Sequence, residues 1–225
     1  MDTTIDFSNF SNQLLKDLVK SVFVKGIKFS LDNSFQLING KLISRRNYGA
    51  KSDEDMCFGN ISCGNSYTFD EIQNLDFEIL SKEDFEWLSS HGTWSAVSNS
   101  SYSCSGFNRR ALFEYEGKTI VFYGKYDPFK NFDDILIENG IDADEYKEYT
   151  FAYNWLSDNL PYDKALMVAI PMKFESTPET RFSPNSNLII LNQKHHIKNP
   201  LFLKVDKTYK LPCHIVINLE KTVIG

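Results

Sequence analysis

Phe35-Gln36-Leu37-Ile38-Asn39-Gly40-Lys41-Leu42-Ile43-Ser44 sets two short apolar runs on either side of Asn-Gly. That dipeptide tolerates positive φ at both centres of a type I′ turn, whose twist matches a pair of antiparallel strands. The stretch therefore predicts a hairpin. A second hairpin is expected where Ala111-Leu112-Phe113-Glu114-Tyr115 and Thr119-Ile120-Val121-Phe122-Tyr123, rich in β-branched and aromatic residues, bracket Glu116-Gly117-Lys118. The C-terminal third predicts strands at 165–174, 187–192, 201–205 and 213–219, with turns at Pro178, Pro184 and Pro200.

Helical signals are grouped apart from these strands. Leu14, Leu15, Leu18, Val19, Val22 and Phe23 recur at helical spacing, which predicts an amphipathic helix over 11–24 ending near Gly26. Residues 47–67 are rich in Gly, Asn, Ser and Asp and read as a long loop. Thr68-x-x-Glu71 and Ser81-x-x-Asp84 have the form of capping boxes opening two short helices. A central helical pair is expected next, the first over 131–139 with Gly140 at its end. The second would start at Asp142, carry Tyr146, Tyr149, Tyr153 and Leu156 on one face, and stop before Pro161. Strands and helices in separate groups predict an α+β fold with a mostly antiparallel sheet, an N-terminal amphipathic helix and that helical pair. The expectation is one globular domain over 1–225, with 130–160 as a candidate helical subdomain.

Composition narrows the function classes. The formal net charge is −6 and only 5 of the 24 basic residues are Arg, so a general nucleic-acid binder, which needs a local excess of cations, is not expected. No window reaches the 18 apolar residues of a membrane span, and no leader peptide is recognisable at Met1. The expected location is cytoplasmic, or delivered without a cleaved signal. Cys57, Cys63, Cys104 and Cys213 are then expected as free thiols. The spacing Cys57-x5-Cys63 does not match structural zinc sites, and adjacent His195-His196 on a strand would point to opposite faces. Neither a metal nor a cofactor is expected.

Chemistry concentrates between Trp87 and Phe107, where His91-Gly92-Thr93-Trp94 precedes a Ser/Asn patch ending in Ser103-Cys104-Ser105-Gly106-Phe107. A thiolate is the strongest nucleophile available near neutral pH once a neighbour lowers its pKa, so Cys104 is the candidate nucleophile, with His91 or His214 as base. Gly92-Thr93 through Cys104-Ser105-Gly106-Phe107 resembles the nucleophile region of NlpC/P60-type cysteine peptidases over about 16 residues. A cysteine followed by a hairpin also resembles the CNF/CheD type of glutamine deamidase. These likenesses imply a thiol hydrolase or deamidase. His91-Gly92-Thr93 further resembles the His-x-Thr motif of 2H phosphoesterases, with His214-Ile215-Val216 as its partner, although Val216 stands where that motif carries a hydroxyl.

A binding function requires none of these constellations. Trp87, Trp94, Tyr102 and Phe107 flank the Ser/Asn loop, and Tyr126 and Phe129 follow the second hairpin with Tyr123 and Phe132. Aromatic rings among Ser and Asn combine large apolar contact area with adaptable hydrogen bonds. The leading expectation is an accessory protein of the bacterial effector, immunity or phage counter-defence type, directed at a protein partner through these loops. Thiol chemistry at Cys104 is the alternative and a phosphoesterase the third.

Overall fold

The computed structural model describes residues 23–24, 27–28, 35–50, 64–75, 77–99, 108–124, 128–182 and 189–218. In chain order the elements are β1 (Phe23–Val24), β2 (Ile27–Lys28), β3 (Phe35–Ile38), β4 (Lys41–Ser44), α1 (Phe69–Gln73), β5 (Glu78–Ile79) and α2 (Lys82–His91). There follow β6 (Thr93–Asn99), β7 (Asn108–Tyr115), β8 (Lys118–Tyr123), α3 (Phe132–Glu138) and a 3-10 turn (Ala143–Tyr146). The chain continues through β9 (Thr150–Asn159), β10 (Lys164–Phe182), β11 (Ile189–Ile197), β12 (Leu201–Asp206) and β13 (Ile215–Asn218). The molecule is mostly antiparallel sheet with few helices. Among the described residues no helix is long and apolar enough to cross a membrane.

Local chemistry explains the first elements. Asn39 and Gly40 take φ of 49° and 70°, so β3 and β4 close through the turn that Asn-Gly favours. Glu116 and Gly117 do the same between β7 and β8. Both capping boxes form: Thr68 Oγ1 accepts from Glu71 N at 3.2 Å while Glu71 Oε2 accepts from Thr68 N at 2.7 Å. Ser81 and Asp84 exchange the equivalent bonds at 3.1 Å each. Two donors at each helix start, which have no intrahelical partner, are thereby satisfied.

Among the described residues, three sheets of three or more strands interlock through single backbone bonds. Their orders are β3-β4-β13-β5, β6-β7-β8, and β11-β10-β12 with β9 on the other side of β10. Val121 N donates to Arg45 O at 2.8 Å, joining β8 to the end of β4. Ser157 N donates to Leu80 O and Trp155 N to Pro212 O, joining β9 to the chain flanking β5 and β13. Lys198 N donates to Pro171 O, so β11 and β12 follow one interrupted path along β10.

The β9–β10 pair separates two cores. Phe151, Tyr153, Trp155, Met167 and Ala169 face one cluster, roofed by Phe69 and Ile72 of α1 and Phe132, Ile135 and Leu136 of α3. Ala152, Leu156, Leu166, Val168 and Ile170 face the other, shared with Phe113, Ile120, Phe122 and Val216 and capped by Phe85 and Leu88 of α2. Both faces are buried, as continuous apolar strands require.

That double burial corrects the expected second central helix and with it the helical subdomain over 130–160. Only α3 and the short 3-10 turn are helical there, and Thr150–Asn159 is a strand. A strand buried on both sides shows no polar alternation, so Tyr146, Tyr149, Tyr153 and Leu156 match helical spacing by coincidence. Pro178 is likewise not a turn, because β10 runs through it with a register irregularity between Ser176 and Thr180. Of the expected N-terminal helix, residues 11–22 lie outside the described residues, and Phe23–Val24 pair with Ile27–Lys28 as a two-residue ladder. The middle of the expected long loop, 51–63, is also outside. Its ends are anchored, with Tyr48 N on Cys213 O at 2.8 Å and Tyr67 bridged to Leu211.

The β9–β10 turn carries local strain. Tyr162 and Asp163 occupy φ of 60° and 55°, and Lys164 N bonds Pro161 O across them at 3.4 Å. A non-glycine residue in this region costs roughly 1 kcal/mol or more. Tyr162 is 95% exposed, so replacing it sacrifices no packing. The double change Tyr162→Asn with Asp163→Gly is expected to raise stability by about 1 kcal/mol. Urea unfolding should show a higher midpoint with an unchanged slope, and a lower midpoint would contradict the strain.

Candidate binding cleft

The segment after β8 folds back because its rings are needed inside. Phe129 is 6% exposed and packs among Phe132, Tyr153 and Tyr209, with ring centroids 5.4, 5.1 and 4.6 Å away. α3 then buries Phe132, Ile135 and Leu136 while Asp133 and Asp134 occupy its exposed first turn, a favourable place for carboxylates. Asn139 fastens its far end to β12: its Oδ1 accepts from Lys204 N at 2.8 Å and its Nδ2 donates to Lys204 O at 3.2 Å. The 3-10 turn is capped by Asp142, whose Oδ1 accepts from Asp144 N, and it delivers Tyr146 and Tyr149 ahead of β9.

Between α3, this turn and the start of β9 lies an open cleft of about 610 Å³, within the range of small-molecule sites. Its apolar floor is Phe132, Leu136, Phe151 and Tyr153, and Tyr146 and Tyr149 form a half-buried wall. Lys130, Asn131, Asp133 and Lys147 stand on the rim. Arg109, Gly124 and Thr150 line one end. A Cβ on Gly124 would crowd Met172 Cε, the mobile end of its side chain, and fall 3.0 Å from Phe151 O, so chain segments approach closely there.

Arg109, Lys130, Lys147 and Asp133 bring charge of both signs to the cleft, and Asp144, Asp133 and Asp142 all act on Lys147. Arg109 lies with its guanidinium carbon 5.2 Å from the centre of the Phe174 ring, and burial lowers its pKa from the ordinary arginine value. A poorly hydrated cation interacts more strongly with an approaching anion than one in bulk water. Lys147 pairs with Asp144 at 2.8 Å on the exposed side, and that hydrogen bond raises its pKa. On the outer side of the wall, Lys198 Nζ sits 4.4 Å from the Tyr146 ring centre and 4.9 Å from that of Tyr149, and donates to Glu145 O. The tyrosine pair already holds a cation from its own chain.

Among the described residues, those expected to carry function sit in different surroundings. Phe129, expected on a binding loop, is core, because the apolar face between α3 and β9 needs its ring. Tyr102, Cys104, Phe107 and Tyr126 lie outside the described residues. Trp87 and Trp94 are half-buried against the core capped by α2, whereas Phe129 belongs to the core roofed by α1 and α3. Trp94 stacks on Phe85 at 5.5 Å, and Trp87 lies face to face with His91 at 4.2 Å. His91 is exposed at the end of α2, its Nδ1 2.9 Å from Trp87 O.

His214 is corrected as a candidate base. It is fully buried beside Phe122, its Nδ1 lies 2.9 Å from Ser44 O, and burial brings its pKa down to about 4. A neutral imidazole has one N–H, and Ser44 O, an acceptor, assigns it to Nδ1. Nε2 then faces the Val121 carbonyl, a bond only the imidazolium could make. Its neighbour Cys213 is a free thiol whose pKa burial pushes up to about 12, leaving it inert. Of the two histidines expected as base for Cys104, His91 is the exposed one. The paired histidines of a phosphoesterase are corrected too, since His91 ends a helix in solvent while His214 is sealed in the core.

Sequence reasoning missed Arg109, Lys130 and Lys147, which reach the cleft from separate segments. The local signal was Tyr146-Lys147-x-Tyr149. Among the described residues, no three His, Cys, Asp or Glu side chains gather as a metal site would need. No protein-family model, curated protein or solved structure matches this chain.

Proposed function

We propose that this chain acts by binding a protein partner, and that the cleft between α3, the 3-10 turn and β9 receives a segment of that partner. The observation carrying this reading is an open cleft with an aromatic floor and wall and both signs of charge on its rim. Apolar rings supply the contact area, and the few polar groups around them fix orientation. The accessory role expected from the sequence remains the biological frame, with its contact surface moved from the Ser/Asn loop to this cleft.

The test compares wild type with a Lys130→Glu, Tyr149→Ala double variant. Proteins retained by immobilised wild type are identified, purified and titrated against both forms by calorimetry. A partner should bind the variant at least about tenfold more weakly, a loss of about 1.4 kcal/mol. Thermal unfolding must show that the variant is folded. A partner that binds both forms equally well would move the binding surface elsewhere.

A further inference from the structure

We infer that residues 142–149, one wall of the cleft, are a strap that lifts as a unit and is fastened by Lys198 and Lys173; only its consequence, a wider mouth for an occupant, rests on the binding reading. The way the segment is attached carries this. Among the described residues its backbone bonds stay within it: Glu145 N donates to Asp142 O at 3.3 Å and Tyr149 N to Tyr146 O at 2.8 Å. Asp142 Oδ1 accepts from Asp144 N, and Lys147 pairs with Asp144, so these groups move together. Just outside the strap both ends are tied down, where Ile141 N donates to Leu136 O at 2.9 Å and Thr150 Oγ1 to Met172 O at 3.2 Å.

What fastens the strap between those anchors is side-chain chemistry from one side. Lys198, just past β11, lies over the rings of Tyr146 and Tyr149 and donates to Glu145 O at 3.2 Å. Lys173 of β10 pairs with Glu148, and that hydrogen bond holds the carboxyl below the usual carboxylate range. Across the cleft Asp133 attracts Lys147 as well, less than Asp144 does. The apolar grip is limited to buried Ala143 and half-buried Tyr146 and Tyr149. Exposed ion pairs and cation–π contacts are each weak, and segments with few buried apolar contacts open locally before the core does. Lifting parts Tyr146 from Phe151, whose ring centres are 6.0 Å apart, and widens the cleft above its floor.

Hydrogen exchange of the full chain, with no ligand present, tests the strap. Corrected for intrinsic rates, the amides of Asp144, Glu145 and Tyr149 should share one opening constant, at least about a hundredfold larger than that of Trp155 in β9. Lys198→Gln with Lys173→Gln should raise that shared constant about fivefold, as loss of one cation–π contact and one exposed ion pair implies, and leave Trp155 unchanged. Lys198→Arg with Lys173→Arg keeps both cations and should restore the wild-type value. Salt at about 0.5 M should speed the strap amides of wild type and not those of the Gln variant, because it screens the exposed pairs. Three unrelated constants would mean residue-by-residue fraying, a constant equal to that of Trp155 would mean opening only with the core, and unchanged exchange in the Gln variant would mean that the lysines fasten nothing. Each of these would overturn the strap and leave the binding reading standing, whereas a partner indifferent to the cleft variant would remove that reading and leave the strap.

Discussion

Replacing Trp155 with alanine is expected to cost about 4 kcal/mol, within the range for deleting a large buried ring. The indole is fully buried at the middle of β9, packs edge-on against Phe69 at 5.4 Å, and donates its N–H to Tyr67 O at 2.8 Å. Alanine therefore leaves a cavity and also removes a bond to a backbone carbonyl beside the Tyr67–Leu211 bridge. Trp155→Phe should cost about half as much, since most of the apolar volume stays and the N–H is lost. Urea unfolding of the three proteins checks the order. A loss below about 1 kcal/mol for the alanine variant would mean that β9 is not packed on both faces.

Acid should destabilise the protein through His214 in a defined window. Its folded-state pKa is lowered from the ordinary 6.5 to about 4, so between those values the unfolded chain binds a proton that the folded chain refuses. Stability is thus fully present above about pH 6.5 and is lost as the pH falls towards 4, by about 3 kcal/mol from this side chain. His214→Asn keeps a donor for Ser44 O and has nothing to titrate. The variant should start less stable at pH 7 and lose about 3 kcal/mol less than wild type on going to pH 4. Parallel profiles for the two proteins would show that His214 becomes charged without resistance.

Legibility in the sequence followed the range of the interactions involved. Asn39-Gly40, Glu116-Gly117 and the two capping boxes announce themselves because the groups that satisfy each other lie within four residues. β9 escaped because its partners on both faces come from distant segments, which erases the polar alternation that marks a strand. β6 was hidden for the opposite reason: Ser95 and Ser98 read as part of the Ser/Asn loop, and pairing with β7 makes them strand. Composition cannot tell a displayed ring from one that completes a core, as Phe129 shows. Arg109 and Lys130 carried no local pattern, and only the fold places them beside Tyr149.

Because alternate residues of β9 and β10 belong to opposite cores, the pair is a party wall. Neither compartment can melt while the other keeps its wall, since opening the wall exposes Trp155 and Met167 on one side and Leu156 and Val168 on the other. The two cores are therefore expected to unfold as one cooperative unit, with the amides of this pair exchanging last. A ligand seated in the cleft would brace the β9 end of that wall, so its grip would be felt as far away as α2, through the core it never touches.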